Sequence, residues 1–378
     1  MVAARSLVSP TSNALLEKAL RAKLMRRHEV GGSLGELEPL AVRLGLLQNS
    51  LKPRFREPQL LLLAADHGLA VEGVLGREPA GGPRARRTHE TVRQLLGNQL
   101  PVTVFARAQQ MALTVVDCGL ADNLPGHERL LARKIAHGTR NCRVKMAMSV
   151  EQAHAAMRAG MEIGDKLRGN ATALAGIGVG ALESAALVIA RLTGTPVRDL
   201  IVAGPRSDPA HLERVHRVLA AAQHRHRDVS EPVEVLAAFG GFEVAVMVGV
   251  MLMAASKRHL MMVDGLPACA ALMVAAQIAP PVTDYSVFCR SHVHRGLDQA
   301  LNLFHASALL ELGMDSTDGT GATLAWPMLR SAAALLTEVA DGEDPGPTHP
   351  GDLGGEPEPF LSEPEPAAIP PALAGSMP

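Results

Sequence analysis

Short apolar runs that stop at polar–glycine turns recur along this chain, separated by long alanine- and leucine-rich stretches. Residues 60–65 end in Asp66-His67-Gly68, and 113–116 end in Asp117-Cys118-Gly119. Residues 200–203 end in Gly204-Pro205, and 259–263 end in Asp264-Gly265. Each run predicts a buried parallel strand that delivers polar residues to its carboxyl edge. Between them, 150–167, 182–192, 209–223, 244–255 and 267–278 carry apolar positions at helical spacing. Residues 11–50 also read as helix, through Leu15, Leu16, Ala19 and Leu20, then Leu34, Leu37, Leu40 and Leu44. The alternation predicts an α/β fold: a Rossmann-like parallel sheet with helices on both faces. Open sheets of this kind bind ligands beyond the carboxyl ends of their strands. Asp66, Asp117, Gly204 and Asp264 are therefore expected on one rim.

Composition narrows the class. The chain has 378 residues, 47% of them hydrophobic, enough to bury a core in one large domain or two smaller ones. A formal net charge of −1 gives no global field to recruit nucleic acid or an anionic membrane. Aromatics at 2% leave no stacking platform for single strands. The most apolar stretch, 242–256, carries Glu243 and is short for a bilayer, so a buried helix is expected. Cys118, Cys142, Cys269 and Cys289 are scattered without a CxxC, which argues against a disulfide framework or zinc site and for a reducing cytoplasm. The first residues lead into charged helical sequence rather than an apolar signal core. From about residue 341, acidic residues alternate with Pro and Gly, and this tail is expected to be disordered.

Candidate chemistry concentrates in a few segments. In Thr317-Asp318-Gly319-Thr320-Gly321-Ala322, a lone carboxylate enters a glycine-flanked turn where backbone can approach a ligand. Such a carboxylate can accept a substrate proton, although most Asp-Gly pairs are ordinary turns. Gly176, Gly178 and Gly180 precede a predicted helix start, suiting either phosphate binding or close helix–sheet packing. Gly204 lies in a strand-end turn with Arg214 and Arg217 on the next helix, either a phosphate clamp or a solvated face. The histidine pairs His224/His226 and His292/His294 lack a further ligand at metal spacing. The basic run Arg84-Ala85-Arg86-Arg87 reads as a solvated loop.

A set of segments in a fixed order resembles one family. They are 65–74 (ADHGLAVEGV), 115–119 (VVDCG), 138–141 (GTRN) with 148–153 (MSVEQA), 236–245 (LAAFGGFEVA), 263–265 (VDG), and 309–314 (LLELGM) leading to 318–322 (DGTGA). The chain resembles the nicotinate-nucleotide:5,6-dimethylbenzimidazole phosphoribosyltransferases of cobalamin biosynthesis over about residues 30–340. The resemblance implies a large α/β domain, here 59–305. It also implies a small helical domain from the terminal segments 1–58 and 306–340, with the 341–378 tail outside both. It implies a homodimer that uses no cofactor and takes nicotinate mononucleotide and a benzimidazole-type base, with no nucleic acid or membrane partner. The product would be α-ribazole 5′-phosphate.

The same resemblance assigns residues. The family base, a Glu before Gly-Thr-Gly, corresponds to Asp318, one methylene shorter. Substrate contacts fall on Glu90, Gly178, Gly180, Gly204, Arg214, Asp264, Arg290, Ser291, Thr320 and Gly321. Departures are as informative. The family Gly-Glu-Met-Gly-Ile-Gly-Asn-Thr-Thr reads here as 175–183 (AGIGVGALE), so its second carboxylate becomes Gly176 and its amide and hydroxyl groups disappear. Phosphate contacts would then fall on backbone N–H groups of 178–181. A family Ser maps to Leu75 and a Gln to Glu90. These changes leave two readings open: an active transferase with shifted base preference, or a non-catalytic or heteromer-dependent paralogue. A Rossmann-type oxidoreductase lacks its dinucleotide fingerprint here.

Overall fold

In a computed structural model of the chain, residues 7–74, 87–201, 208–291, 296–314 and 316–339 are described. Six strands among them form one sheet: β1 (Gln59–Ala65), β2 (Ala112–Gly119), β3 (Leu130–Ala132), β4 (Ala171–Ile177), β5 (Leu260–Val263) and β6 (Ser286–Phe288). Their spatial order is β3-β2-β1-β4-β5-β6, and every neighbouring pair is parallel. That order reverses direction between β1 and β4, the point where doubly wound sheets open a crevice beyond their strand ends.

Thirteen α-helices, with short 3-10 turns at Gly68–Glu72 and Pro280–Tyr285, accompany the sheet among the described residues. They are α1 (Ala14–Gly31), α2 (Leu37–Gln48), α3 (Thr88–Leu96), α4 (Pro101–Ala108), α5 (Val150–Asp165), α6 (Ala181–Thr193) and α7 (Val197–Leu200). After these come α8 (Pro209–Arg225), α9 (Pro232–Phe239), α10 (Phe242–Ser256), α11 (Leu266–Ile278), α12 (Leu297–Leu303) and α13 (Thr320–Thr337). Local signals set several starts. Ser149 and Gln152 form a capping box on α5, and Pro209 follows the N-cap Asp208 on α8. Helix α13 packs against α2, α4 and α1, which brings the last described helix onto the first ones.

The strands expected at 60–65, 113–116 and 259–263 are present as β1, β2 and β5. The one expected at 200–203 is not. Leu200 closes the short helix α7 behind Pro196, and Ile201 is a bend; 202–203 lie outside the described residues. Its place between β1 and β5 belongs to β4, whose Ala171-Thr172-Ala173-Leu174-Ala175-Gly176-Ile177 run is small and interrupted. Small side chains give a weak strand signal, although they suit a central strand squeezed between helices. The expected disorder of 341–378 and the basic run at 84–86 also fall outside the described residues.

Helix α10 is buried on all sides, as its continuous apolar composition requires, and packs most extensively on α5. The two backbones nearly touch. A Cβ on Gly160 would stand 1.9 Å from the Val246 carbonyl oxygen, and one on Gly249 would stand 1.9 Å from that of Met157. This contact fixes where α10 begins, and its first turn carries Glu243 beneath the strand ends. All four cysteines are free and buried, with burial raising the Cys142 thiol to about 12.

Gly160→Ala must separate α5 from α10, so urea unfolding should show a loss of about 1–3 kcal/mol. Gly31→Ala, at the exposed end of α1 with nothing near the added methyl, should change stability by no more than about 0.5 kcal/mol.

Candidate active site

The strand β5 ends at Val263, and Asp264 follows with no solvent exposure. Its Oδ2 accepts hydrogen bonds from the backbone N–H groups of Gly319 (2.8 Å) and Ala322 (3.1 Å). Helix α13 has Gly319 as N-cap and no side-chain cap of its own, so Asp264 supplies the cap from across the sheet edge. The other oxygen of Asp264 accepts from Arg290 Nε at 2.6 Å. Arg290 follows β6, and its Nη2 donates to Asp318 Oδ1 at 2.6 Å, while Nη1 donates to the Met314 carbonyl at 3.1 Å. One guanidinium, 1% exposed at its side chain, thus spans two carboxylates.

Glycines make room for this cluster. A Cβ on Gly265 would stand 2.2 Å from Asp318 Oδ2, and one on Gly321 would stand 2.6 Å from Arg290 Cδ. Gly319 also needs its positive φ of 95°.

Asp318 forms one wall of a cavity of about 460 Å³. Ser316 and Thr317 lie beside it, Gly176, Ile177, Gly178 and Gly180 face it from the end of β4, and Thr91 and Pro267 close it. Glu183, in the first turn of α6, also lines it. The β4–α6 loop packs tightly on β1, where a Cβ on Gly178 would stand 2.1 Å from the Ala65 carbonyl oxygen. Two of its amides are already used: Val179 donates to Thr88 Oγ1 at 3.0 Å, and Ala181 to the Gly178 carbonyl at 3.2 Å.

Beneath this loop lies a second charged pair. His67 Nε2 is 3.0 Å from Glu243 Oε1, with side chains 2% and 0% exposed. Burial is the largest influence and opposes the imidazolium; the Glu243 carboxylate, with Asp66 and Glu183 behind it, outweighs burial and raises the His67 pKa. Gly241 and Gly180 accommodate the pair. A Cβ on Gly241 would lie 2.2 Å from Glu243 Oε2, and one on Gly180 would lie 3.1 Å from His67 Cβ.

The site residues read from the sequence divide. Asp318, Gly178 and Gly180 meet at the cavity. Asp264, Arg290, Thr320 and Gly321 form the buried support behind Asp318, with Thr320 Oγ1 donating to the Thr317 carbonyl at 2.6 Å. Ser291 pairs through its backbone N–H with the Leu310 carbonyl at 3.1 Å. Glu90 does not line the cavity: its carboxylate accepts from the Arg87 N–H at 3.1 Å and caps α3, and the next residue, Thr91, faces the cavity instead. Arg214 is exposed on α8, 2.6 Å from His211 Nδ1. Gly204, Leu75, His292 and His294 lie outside the described residues.

Sequence reasoning passed over Glu183, because it was read as the loss of a hydroxyl rather than the gain of a carboxylate. It also passed over the His67–Glu243 pair, whose partners are 176 positions apart (243 − 67). The signal for that pair was Glu243 itself, a lone acid at the head of an apolar helix.

A larger concavity of about 720 Å³ lies at the C-terminus of α8, lined by Arg143, Lys145, His224, Arg225 and Arg227 among others. These side chains are exposed, and Arg225 at the end of α8 complements the negative end of its dipole. No described strand end reaches it.

A family model described as Phosphoribosyltransferase matches residues 9–346. A nicotinate-nucleotide–dimethylbenzimidazole phosphoribosyltransferase of Cupriavidus taiwanensis is 40% identical over 334 residues, covering 88% of this chain and 95% of its own. The protein of the same name from Variovorax paradoxus is 37% identical over 339 residues, covering 90% and 95%. The crystal structure of such an enzyme from Thermus thermophilus superposes with a TM-score of 0.79 at 30% identity, covering 87% of this chain and 97% of that one.

Arg290→Met would leave Asp264 and Asp318 buried without their cation, and denaturant unfolding should show a loss of about 3–5 kcal/mol. The raised His67 pKa has a defined consequence. Its contribution to stability is complete below the unfolded value of about 6.5 and is lost as pH rises through the folded value. Urea midpoints should therefore fall as pH rises above about 6.5, and the fall should be smaller in the His67→Gln/Glu243→Gln double variant.

Proposed function

Because the chain belongs to the phosphoribosyltransferase family, we propose that its strand-end cavity takes nicotinate mononucleotide and 5,6-dimethylbenzimidazole or a related azole. The product is α-ribazole 5′-phosphate, used in the nucleotide loop of cobalamin. The chain is a phosphoribosyltransferase. The named substrates come from the relatives' activity, and the cavity's chemistry supports them.

In this reaction the C1′–N bond to the pyridinium breaks and its electron pair returns to the ring nitrogen. Nicotinate therefore leaves without needing a proton. One nitrogen of the azole attacks C1′ from the opposite face, which inverts the anomeric centre. The other nitrogen gives up its hydrogen to a base. Asp318 is that base: it stands at the cavity wall, and its Oδ1 is held by Arg290 so that the carboxylate keeps one orientation. Fixed orientation matters because displacement by about 1 Å can cost on the order of 10²-fold in rate. The carboxylates lining the cavity also favour the positive charge that grows at C1′ in the transition state.

This orientation of Asp318 against the cavity is the observation that carries the reading. The same ion pair supports a second one, since a carboxylate bonded to a guanidinium is a weaker proton acceptor. On that reading the chain is a heteromer-dependent or non-catalytic paralogue. We further propose a homodimer, supported by the exposed Leu15 and Met25 on α1, and residence in the cytoplasm, supported by four buried free thiols. No helix among the described residues is long and apolar enough to cross a membrane. The packing of α13 on α1 and α2 supports a small helical domain beside the large α/β one.

The purified chain, given nicotinate mononucleotide and a panel of benzimidazoles, adenine and phenols, should release nicotinate and form a nucleotide. Absence of both would favour the second reading. Asp318→Asn should retain its fold, because Arg290 keeps Asp264, but kcat should fall about 10²-fold or more. Unchanged turnover would remove Asp318 from the mechanism.

A further inference from the structure

One hydroxyl at the cavity wall has no partner of its own. Ser316 Oγ is shut off from solvent, and no group among the described residues hydrogen-bonds to it. A buried polar atom left unpaired costs stability unless something else satisfies it. The residue as a whole is half-buried and borders the cavity, two positions before Asp318. A serine exchanges among three staggered χ1 wells, so its oxygen can turn to the cavity face when a ligand offers it a partner.

The place of Ser316 says which ligand group that partner is. Ser316, Thr317 and Asp318 form one side of the cavity, and the end of β4 with its glycine loop forms another. Two residues of chain span at most about 7 Å. A bicyclic azole whose N–H meets Asp318 therefore lays its second ring within reach of Ser316. Ile177, Leu182 and Pro267 supply apolar lining that suits the ring faces. A methyl group at the ring edge would leave the serine hydroxyl unpaired, whereas a hydroxyl or amino group would satisfy it. Sites that hydrogen-bond a substrate OH or NH discriminate against analogues lacking that group.

Resting on the phosphoribosyl-transfer reading above, we infer that Ser316 is a specificity-determining residue for the acceptor. Its hydroxyl pairs with a polar substituent on the six-membered ring of the incoming azole. The chain therefore favours azoles that carry a hydroxyl or amino group at that edge over methylated ones, 5,6-dimethylbenzimidazole included.

The test uses two acceptors of nearly equal shape, 5-hydroxybenzimidazole and 5-methylbenzimidazole, with nicotinate mononucleotide as donor. In the wild type kcat/KM should be higher for the hydroxyl compound, and in Ser316→Ala the hydroxyl-to-methyl ratio should fall about tenfold. A wild-type ratio of one or less overturns the inference. So does a ratio that Ser316→Ala leaves unchanged, because equal losses on both acceptors assign the hydroxyl to the donor or to the fold. Calorimetric Kd values for the two bases provide a readout independent of turnover. The preference for the hydroxyl compound should be present in the wild type and lost in Ser316→Ala; equal wild-type affinities, or no binding of either base, overturn the inference. If the wild type turns over neither acceptor, the transfer reading fails, and these Kd values still decide the role of Ser316. Urea unfolding without ligand is the control. An unpaired hydroxyl adds nothing to the free fold, so Ser316→Ala should unfold at a midpoint no lower than the wild type. A lower midpoint would mean that the protein itself satisfies the hydroxyl, and that result also overturns the inference.

Discussion

A single guanidinium between two buried carboxylates organises the strand-end site. Arg290 receives Asp264 from the end of β5 and Asp318 from the start of α13. Asp264 in turn caps α13 through Gly319 and Ala322. These contacts tie the C-terminal helix, and with it the candidate proton acceptor, to the edge of the central sheet. Neither carboxylate could be buried at this depth without the cation, and the cation could not be buried without them. The position of the candidate proton acceptor therefore follows from an electrostatic requirement as well as from packing.

Packing supplies the rigid base. The near-contact of α5 and α10 through Gly160 and Gly249 sets the head of α10, where Glu243 meets His67 under the β4–α6 loop. Glycines serve two purposes here. In the core they let backbones approach, and at Gly265 and Gly321 they leave space for Asp318 and Arg290. Substituting any of them changes the geometry around a charge.

Two carboxylates stand beside the glycine loop at the end of β4. Gly178 and Gly180 retain the backbone shape of an anion site, yet Glu183 and Asp318 face the space they enclose. That combination suits a reaction in which positive charge develops at a sugar carbon.

Much of this was legible in the residues. Apolar runs ending in Asp-x-Gly or Asp-Gly placed β1, β2 and β5, helical spacing placed α5, α6, α8, α10 and α11, and the glycine-flanked Asp318 pointed to a residue that lines the strand-end cavity. These are local features, in which one segment states its own period and its own turn. The central strand β4 was hidden because alanines and a glycine carry little strand preference; its place was decided by neighbours on both sides. Glu90 looked like a pocket group and became a helix cap, while Glu183 looked like a loss and became a wall of the cavity. The partnership of Asp264, Arg290 and Asp318, and that of His67 with Glu243, arose only when distant strand ends converged. Sequence alone determined those strands and helices whose period is stated locally, and where a candidate carboxylate could stand. Tertiary structure decided which charges share a buried space, because desolvation and Coulomb energy depend on distances that no local pattern encodes.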